Sequence, residues 1–377
     1  MDLSLFTFLL VVSLAFANGA NDVSKAIATL VGSGVADYRT AILWGTFWTT
    51  VGAGLSGLVA TAMVKTFSQG LLAPGVPSSS ILATAVLAGA GLWVLVATRI
   101  GLPVSTTHAL TGAIVGAGLV AFGAEGLLWK GIGKKILLPL ILSPLLALMV
   151  SVLIHSLVRA LAARWEGTCL CVMPTARALV MIDTRGATRT LFQTAALGQP
   201  VMTVPAQCDR AGLKGLVVGL DSIHWCSSGL ASLARGMNDA PKIAAIMLLG
   251  SAVTTWSNGS SHAMALIGVA VAMGLGSYVA GRRVTKVLAE KVTRMDHSEG
   301  LSANLTTSSL VFVSAVMGLP VSTTHISSSS IIGIGLLNGI SSIRWPTVRD
   351  MVLAWVVTLP ASALLSALAY YLLTLLT

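Results

Sequence analysis

The sequence predicts an all-α polytopic membrane protein made of two inverted-topology repeats, with broken helices and re-entrant hairpins. Three observations carry that prediction. Apolar residues make up 55% of the chain and charged ones only 10%, with a mean hydropathy of +0.88, whereas soluble domains carry roughly 25% charged residues. The octapeptide GLPVSTTH stands at residues 101–108 and again, letter for letter, at 318–325. The same offset of 217 residues lays ANGANDVSK (17–25) over ARGMNDAPK (234–242), so A-x-G-x-N-D-x-x-K also occurs twice. Two motifs sharing one offset mark a duplicated unit. The repeats run over 1–160 and 218–377, joined by a linker at 161–217.

Each repeat opens with a long apolar segment interrupted at its N-D motif. The first such run lacks a basic leader and continues into polar residues that recur later, so it does not read as a cleaved signal peptide. A straight span follows, then a hairpin with GLPVSTTH at its turn. In repeat two the apolar part of the first arm covers only Leu305 to Met317. That is under spanning length, so the hairpin is expected to be re-entrant. The closing spans, Ile136 to Val158 and Met351 to Leu376, exceed the roughly 20 residues needed to cross hydrocarbon. Whether the hairpin crosses or dips, each repeat crosses an odd number of times. The second must then lie upside down relative to the first, as in many secondary transporters. The linker is the most polar stretch, with Arg164, Glu166, Asp183 and Arg185, and its runs ALVMI and VMTVP read as strands of a small soluble subdomain.

The formal charge of +10 reflects topology and calls for no nucleic acid. Fifteen basic residues, from Arg39 and the linker arginines to Arg282, Arg283, Lys286 and Arg349, fall on one side of this arrangement. Lys65, Lys130, Lys134 and Lys135 fall on the other. The positive-inside rule puts the larger set in the cytoplasm. A multi-pass protein of the cell (inner) membrane follows, in contact with lipid, with both termini outside and the linker inside. Cys169, Cys171 and Cys208 then sit in a reducing compartment and read as free thiols, because the set is one ligand short of a metal site.

Lys25, Arg99, Arg235 and Lys242 remain within apolar sequence, as do the acids Asp22 and Asp239. Charges at such depth line a pathway or pair with one another. Asp22 with Lys25, and Asp239 with Lys242, have the i, i+3 spacing of one helix face. Arg99 and Arg235 map onto Val316 and Asn18, so they read equally well as local partners. In GLPVSTTH, Gly101 and Pro103 stop the incoming arm, and Ser105, Thr106 or Thr107 caps the next helix. A helix that starts inside the bilayer presents free N–H groups and a positive dipole end, which is an oxyanion seat. Asn21 and Asp22 are expected to open another helix after Gly19, so that inverted copies bring four helix starts around one tetrahedral anion. His108 and His325 are read as bonded to a backbone carbonyl, with a proton relay as the alternative. The glycines of TGAIVGAG and IIGIG read as close helix packing.

These paired motifs, GANDVSK, GMNDAPK and the two GLPVSTTH copies, resemble the inorganic phosphate transporter family of secondary carriers, which includes some bacterial sulfate permeases. The resemblance covers both repeats. It implies phosphate held by Asn21, Asp22, Ser105, Thr106 and Thr107 of one half and Asn238, Asp239, Ser322, Thr323 and Thr324 of the other. It also implies cation coupling through Asp22 and Asp239, and a homodimer. Sodium-coupled members have Asn where this chain has Lys25 and Lys242. An ammonium can stand where a sodium ion sits but offers no oxygen ligand, which favours protons over sodium as the coupling ion and leaves the lysines in the anion site. Phosphate is preferred to sulfate because a protonated anion rewards a carboxylate acceptor. An anion channel would want a basic ring without paired acids. A membrane hydrolase would need a nucleophile–base pair or a metal set, and no such group, catalytic residue or cofactor is legible.

Overall fold

The computed structural model describes residues 3–58, 61–77, 79–165, 169–173, 176–182, 188–194, 199–203, 219–247, 249 and 259–376. The first repeat contains α1 (Leu3–Asp22), α2 (Ser24–Gly32), α3 (Tyr38–Leu55), α4 (Thr61–Gln69), α5 (Ser80–Ile100) and α6 (Thr106–Phe122). A short α7 (Trp129–Gly131) and a π-turn (Ile132–Leu137) lead into α8 (Leu138–Trp165). The second contains α9 (Leu220–Met247), α10 (Gly259–Ala280), α11 (Arg282–Glu290), α12 (His297–Val316), α13 (Thr323–Leu337) and α14 (Trp345–Leu376). The 217-residue offset lays the first residue of α5 on that of α12, and the first of α6 on that of α13. Hence the duplication read from two motifs extends to the helices between them.

Leu5–Gly32, Ser80–Ile100, Trp129–Leu161 and Trp345–Leu376 are long and apolar enough to cross a membrane, and Ala265–Ala280 of α10 with α11 makes a pair bent by 64°, the geometry of a broken span or of a re-entrant loop. Apolar side chains such as Leu153 and Leu364 stand exposed on α8 and α14, as lipid contact requires. Helix α12 starts eight residues before Leu305, because its first turns carry buried polar groups (Ser302, Asn304 and Thr306) instead of an apolar run. The short helices α4 and α11 were not expected.

Glycines fix which helices meet. A Cβ on Gly116 of α6 would stand 2.0 Å from the carbonyl oxygen of Ala363 on α14. Its counterpart Gly333 on α13 would meet Ser151 Oγ of α8 at 2.3 Å. Each repeat's closing helix therefore packs on the other's hairpin. The opening helices exchange in the same way: Gly19 of α1 abuts Met273 of α10, and Gly52 of α3 abuts Leu233 of α9. The glycine-rich stretches after GLPVSTTH are packing surfaces, as expected.

One expectation fails. Asn21 and Asp22 do not start a helix. They end α1, and only Val23, itself in right-handed helical conformation, separates them from α2. In repeat two α9 runs unbroken through Asn238 and Asp239, with Pro241 inside it. These side chains bond sideways to neighbouring elements and leave the backbone to continue, so among the described residues the side-chain-capped helix starts at the centre are those of α6 and α13.

Residues Leu157–Ile223 form a second compact unit. Within it β1 (Cys169–Met173) pairs antiparallel with β4 (Gln199–Thr203), and β2 (Ala176–Ile182) with β3 (Thr188–Thr194). The run ALVMI lies in β2 and VMTVP overlaps β4. Cys208 lies outside the described residues.

Candidate functional site

Both GLPVSTTH turns use the same local chemistry. Gly101 ends α5 with a φ of 82°, and Gly318 follows α12 with a φ of 67°, a region glycine enters without a Cβ clash. Ser105 caps α6 by accepting the His108 amide at 3.3 Å, and Ser322 caps α13 by accepting that of His325 at 3.1 Å. Serine is thus the cap left open among three hydroxyls. Both threonines in each copy are free to point elsewhere.

Three of them, Thr107, Thr323 and Thr324, reach the other repeat. Thr107 donates to the Val321 carbonyl at 3.2 Å, and Thr324 donates to the Val104 carbonyl at 2.7 Å. Lys25 reaches the same Val104 carbonyl at 3.3 Å, and Lys242 the Val321 carbonyl at 3.2 Å. Lys25 pairs with Asp22, and Lys242 with Asp239 at 3.0 Å, the i, i+3 pairs read from spacing. Thr323 donates to Asp22 at 3.2 Å, while Lys242 also donates to Thr107 at 2.8 Å. Asn21 accepts from Lys25 at 2.7 Å and ties α1 to the hairpin by donating to the Leu102 carbonyl at 2.9 Å and Thr98 at 3.0 Å. Asn238 donates to Asp239 at 3.2 Å. The structure therefore gathers the twelve candidate residues of both repeats into one cluster, and none is more than 4% exposed. The cluster is closed to solvent.

Two further residues belong to this centre. Asn18 donates to Thr106 at 2.9 Å and to Asp239 at 3.2 Å. Arg235, its counterpart, is 1% exposed, donates to Thr49 and Ser277, and acts electrostatically on both Asp22 and Asp239. Its Nε and Nη1 lack a partner, as do the side-chain oxygens of Asn18 and Asn238. The signal for both was in the sequence: they occupy equivalent positions of the two motifs, one cationic and one neutral. Three buried cations thus face two carboxylates. With the free first-turn amides of α6 and α13 and the threonine hydroxyls, the arrangement is rich in hydrogen-bond donors and suited to an oxyanion.

The histidines divide. His325 Nδ1 lies 3.0 Å from the Leu140 carbonyl, the bond expected of it. His108 Nδ1 has no such partner, and the two rings lie against each other with centroids 4.7 Å apart. Arg99 lies at the end of α5 and is exposed, apart from the cluster. The side chain of His262 lies outside what is described.

A duplicated helical membrane fold closed around paired buried ions and helix starts is that of a multi-pass membrane transporter. The phosphate transporter family model matches residues 18–366, and the chain belongs to that family. Its relatives include a probable low-affinity inorganic phosphate transporter of Bacillus subtilis, 31% identical over 99% of both chains. Another of the same description, from Mycobacterium tuberculosis, is 30% identical over 98% of this chain and 78% of its own length. Among solved structures, a sodium-dependent phosphate transporter superposes with a TM-score of 0.76 at 22% identity, covering all of both chains.

Proposed function

We propose that this chain imports inorganic phosphate across the cell's inner membrane by proton-coupled secondary transport. In this reading Asn21, Asp22, Lys25, Ser105, Thr106, Thr107 and their counterparts Asn238, Asp239, Lys242, Ser322, Thr323 and Thr324 bind the anion. Asp22 and Asp239 carry the coupling, the repeats are inverted, and the protein works as a homodimer.

The observation that carries the coupling ion is the ammonium on each carboxylate. Two bare aspartates would need bound cations before a phosphate could enter. Here Lys25, Lys242 and Arg235 already outnumber the acids, so a monoanion meets a favourable field at the outset. Protonating a carboxylate or the phosphate then supplies the coupling. A sodium-coupled reading draws on the solved relative, which is named for its sodium dependence. The sulfate alternative finds no support in the relatives' names, which are those of phosphate carriers.

Radiolabelled phosphate uptake into proteoliposomes separates these readings. Uptake should be unchanged when choline replaces sodium and should rise with an inward proton gradient. Collapse without sodium would mean that the lysines are ion-pair partners only.

A further inference from the structure

Beside the closed cluster lies an open cavity of about 660 Å³, lined by Arg99, Arg282, Arg283, Lys286, Glu290 and Thr98 among others. Its floor touches the central site: Thr98 accepts a hydrogen bond from Asn21 at 3.0 Å, and Asn21 in turn accepts from Lys25 at 2.7 Å. Its wall is α11, which buries Val284, Thr285, Leu288 and Ala289 and presents Arg282, Arg283, Lys286 and Glu290 outward. Glu290 is engaged by the Tyr38 hydroxyl, and Arg282 lies over the Tyr38 ring, 5.3 Å from its centroid. Arg283 holds the Arg99 carbonyl at 2.6 Å, closing the end of α5. Four cations thus surround a hollow with one acid. At the position equivalent to Thr98 the second repeat has Ala315, so the polar floor exists in one half only.

We infer that this cavity is a peripheral seat for a phosphate oxyanion and the mouth through which the anion passes to or from the central cluster, with the Thr98–Asn21 hydrogen bond as the partition between them. The inference rests on the reading of the chain as a phosphate carrier. A basic concavity raises the local concentration of anions. At an open site water screens each charge strongly. The seat is therefore weak, quickly vacated and weakened by salt, as a portal requires. The basic-residue bias assigns this face to the cytoplasm.

The test uses Ala280→Cys, a cavity-lining position, in the full chain with its native cysteines replaced by serine. In detergent, inorganic phosphate should slow its labelling by an anionic thiol reagent at least about threefold, and added potassium chloride should remove that protection. Arg282→Gln with Lys286→Gln should abolish protection while leaving Arg283 to hold α5. Arg282→Lys with Lys286→Arg should restore it. In proteoliposomes the Gln pair should raise the KM for phosphate on the vestibule's face and leave the KM on the opposite face unchanged. Protection by phosphatidic acid in mixed micelles but not by inorganic phosphate would make the seat a lipid-headgroup site and overturn the inference. So would protection by neither, or protection that survives the Gln pair. If the unaltered chain carries no phosphate at all, the proposed function falls. If it carries phosphate and the cavity is unprotected, this inference alone falls.

Discussion

Asp239 accepts hydrogens from Lys242, Asn238 and Asn18, while Asp22 accepts them from Lys25 and the Thr323 hydroxyl. An ammonium only donates, a hydroxyl can turn and accept, and an Asn amide accepts only if it flips to present its oxygen. A proton placed on Asp22 therefore finds an acceptor in Thr323 by rotation of a hydroxyl, while one placed on Asp239 requires Asn18 or Asn238 to flip and give up its present hydrogen bond. Asp22→Asn and Asp239→Asn should each abolish proton-driven uptake, with the protein inserted at normal levels. Full transport by either variant would remove that acid from the mechanism. Infrared titration separates their roles: the protonated-carboxyl band should vanish in Asp22→Asn and persist in Asp239→Asn. The cations are predicted to matter for the fold as well as for binding. Lys242→Ala leaves a carboxylate buried without its ion partner, a loss of about 3–5 kcal/mol, which a lowered melting temperature in detergent would report. Lys25→Asn combined with Lys242→Asn restores oxygen ligands and should weaken phosphate affinity while introducing some sodium dependence.

Helix contacts in this fold depend on the absence of a Cβ at a few positions. Gly116→Val would drive side-chain atoms into the backbone of Ala363, and Gly333→Val into Ser151 and the backbone of Leu148. Overpacking of this kind costs about 1–3 kcal/mol, so both variants should melt lower than the unaltered chain. Gly54→Ala, with nothing within 4 Å of the added carbon, should not. Matching effects at 116 and 333 would show that both crossed packings carry stability. Much at this scale was legible in the sequence, because a repeated GLP turn followed by hydroxyls has few other uses in an apolar chain. The N-D motif was misread. Buried Asn and Asp can cap a helix or bond laterally, and only the neighbouring Thr98, Leu102 and Thr323, distant in sequence, decide between the two. Helix α11 was missed for a related reason: its charged face looks like loop sequence until α2 is seen covering its buried face. The partners of Asn18 and Arg235 were equally out of reach, since they lie on other elements.

Across the whole molecule, the crossed packing relates one repeat to the other by exchange: α8 lies on α13 and α14 on α6. An odd number of crossings per repeat would make that exchange an inverted one, and it would return the linker and both termini to opposite faces. The basic residues then fix the sign. In the arrangement expected from the sequence, Arg39, Arg282, Arg283 and Lys286 would share a side with the linker arginines, and Lys65, Lys130, Lys134 and Lys135 would occupy the other. Arg189→Cys, in β3 of the linker unit, should consequently react with an impermeant thiol reagent only from the cytoplasm, and Asp2→Cys only from outside. Reaction of both positions from one side would make the number of crossings in the first repeat even and remove the inversion. Swapped sidedness would keep the inversion but turn the molecule over. The basic cavity beside Thr98 would then open to the exterior and admit phosphate from there, and the linker thiols would face an oxidising compartment.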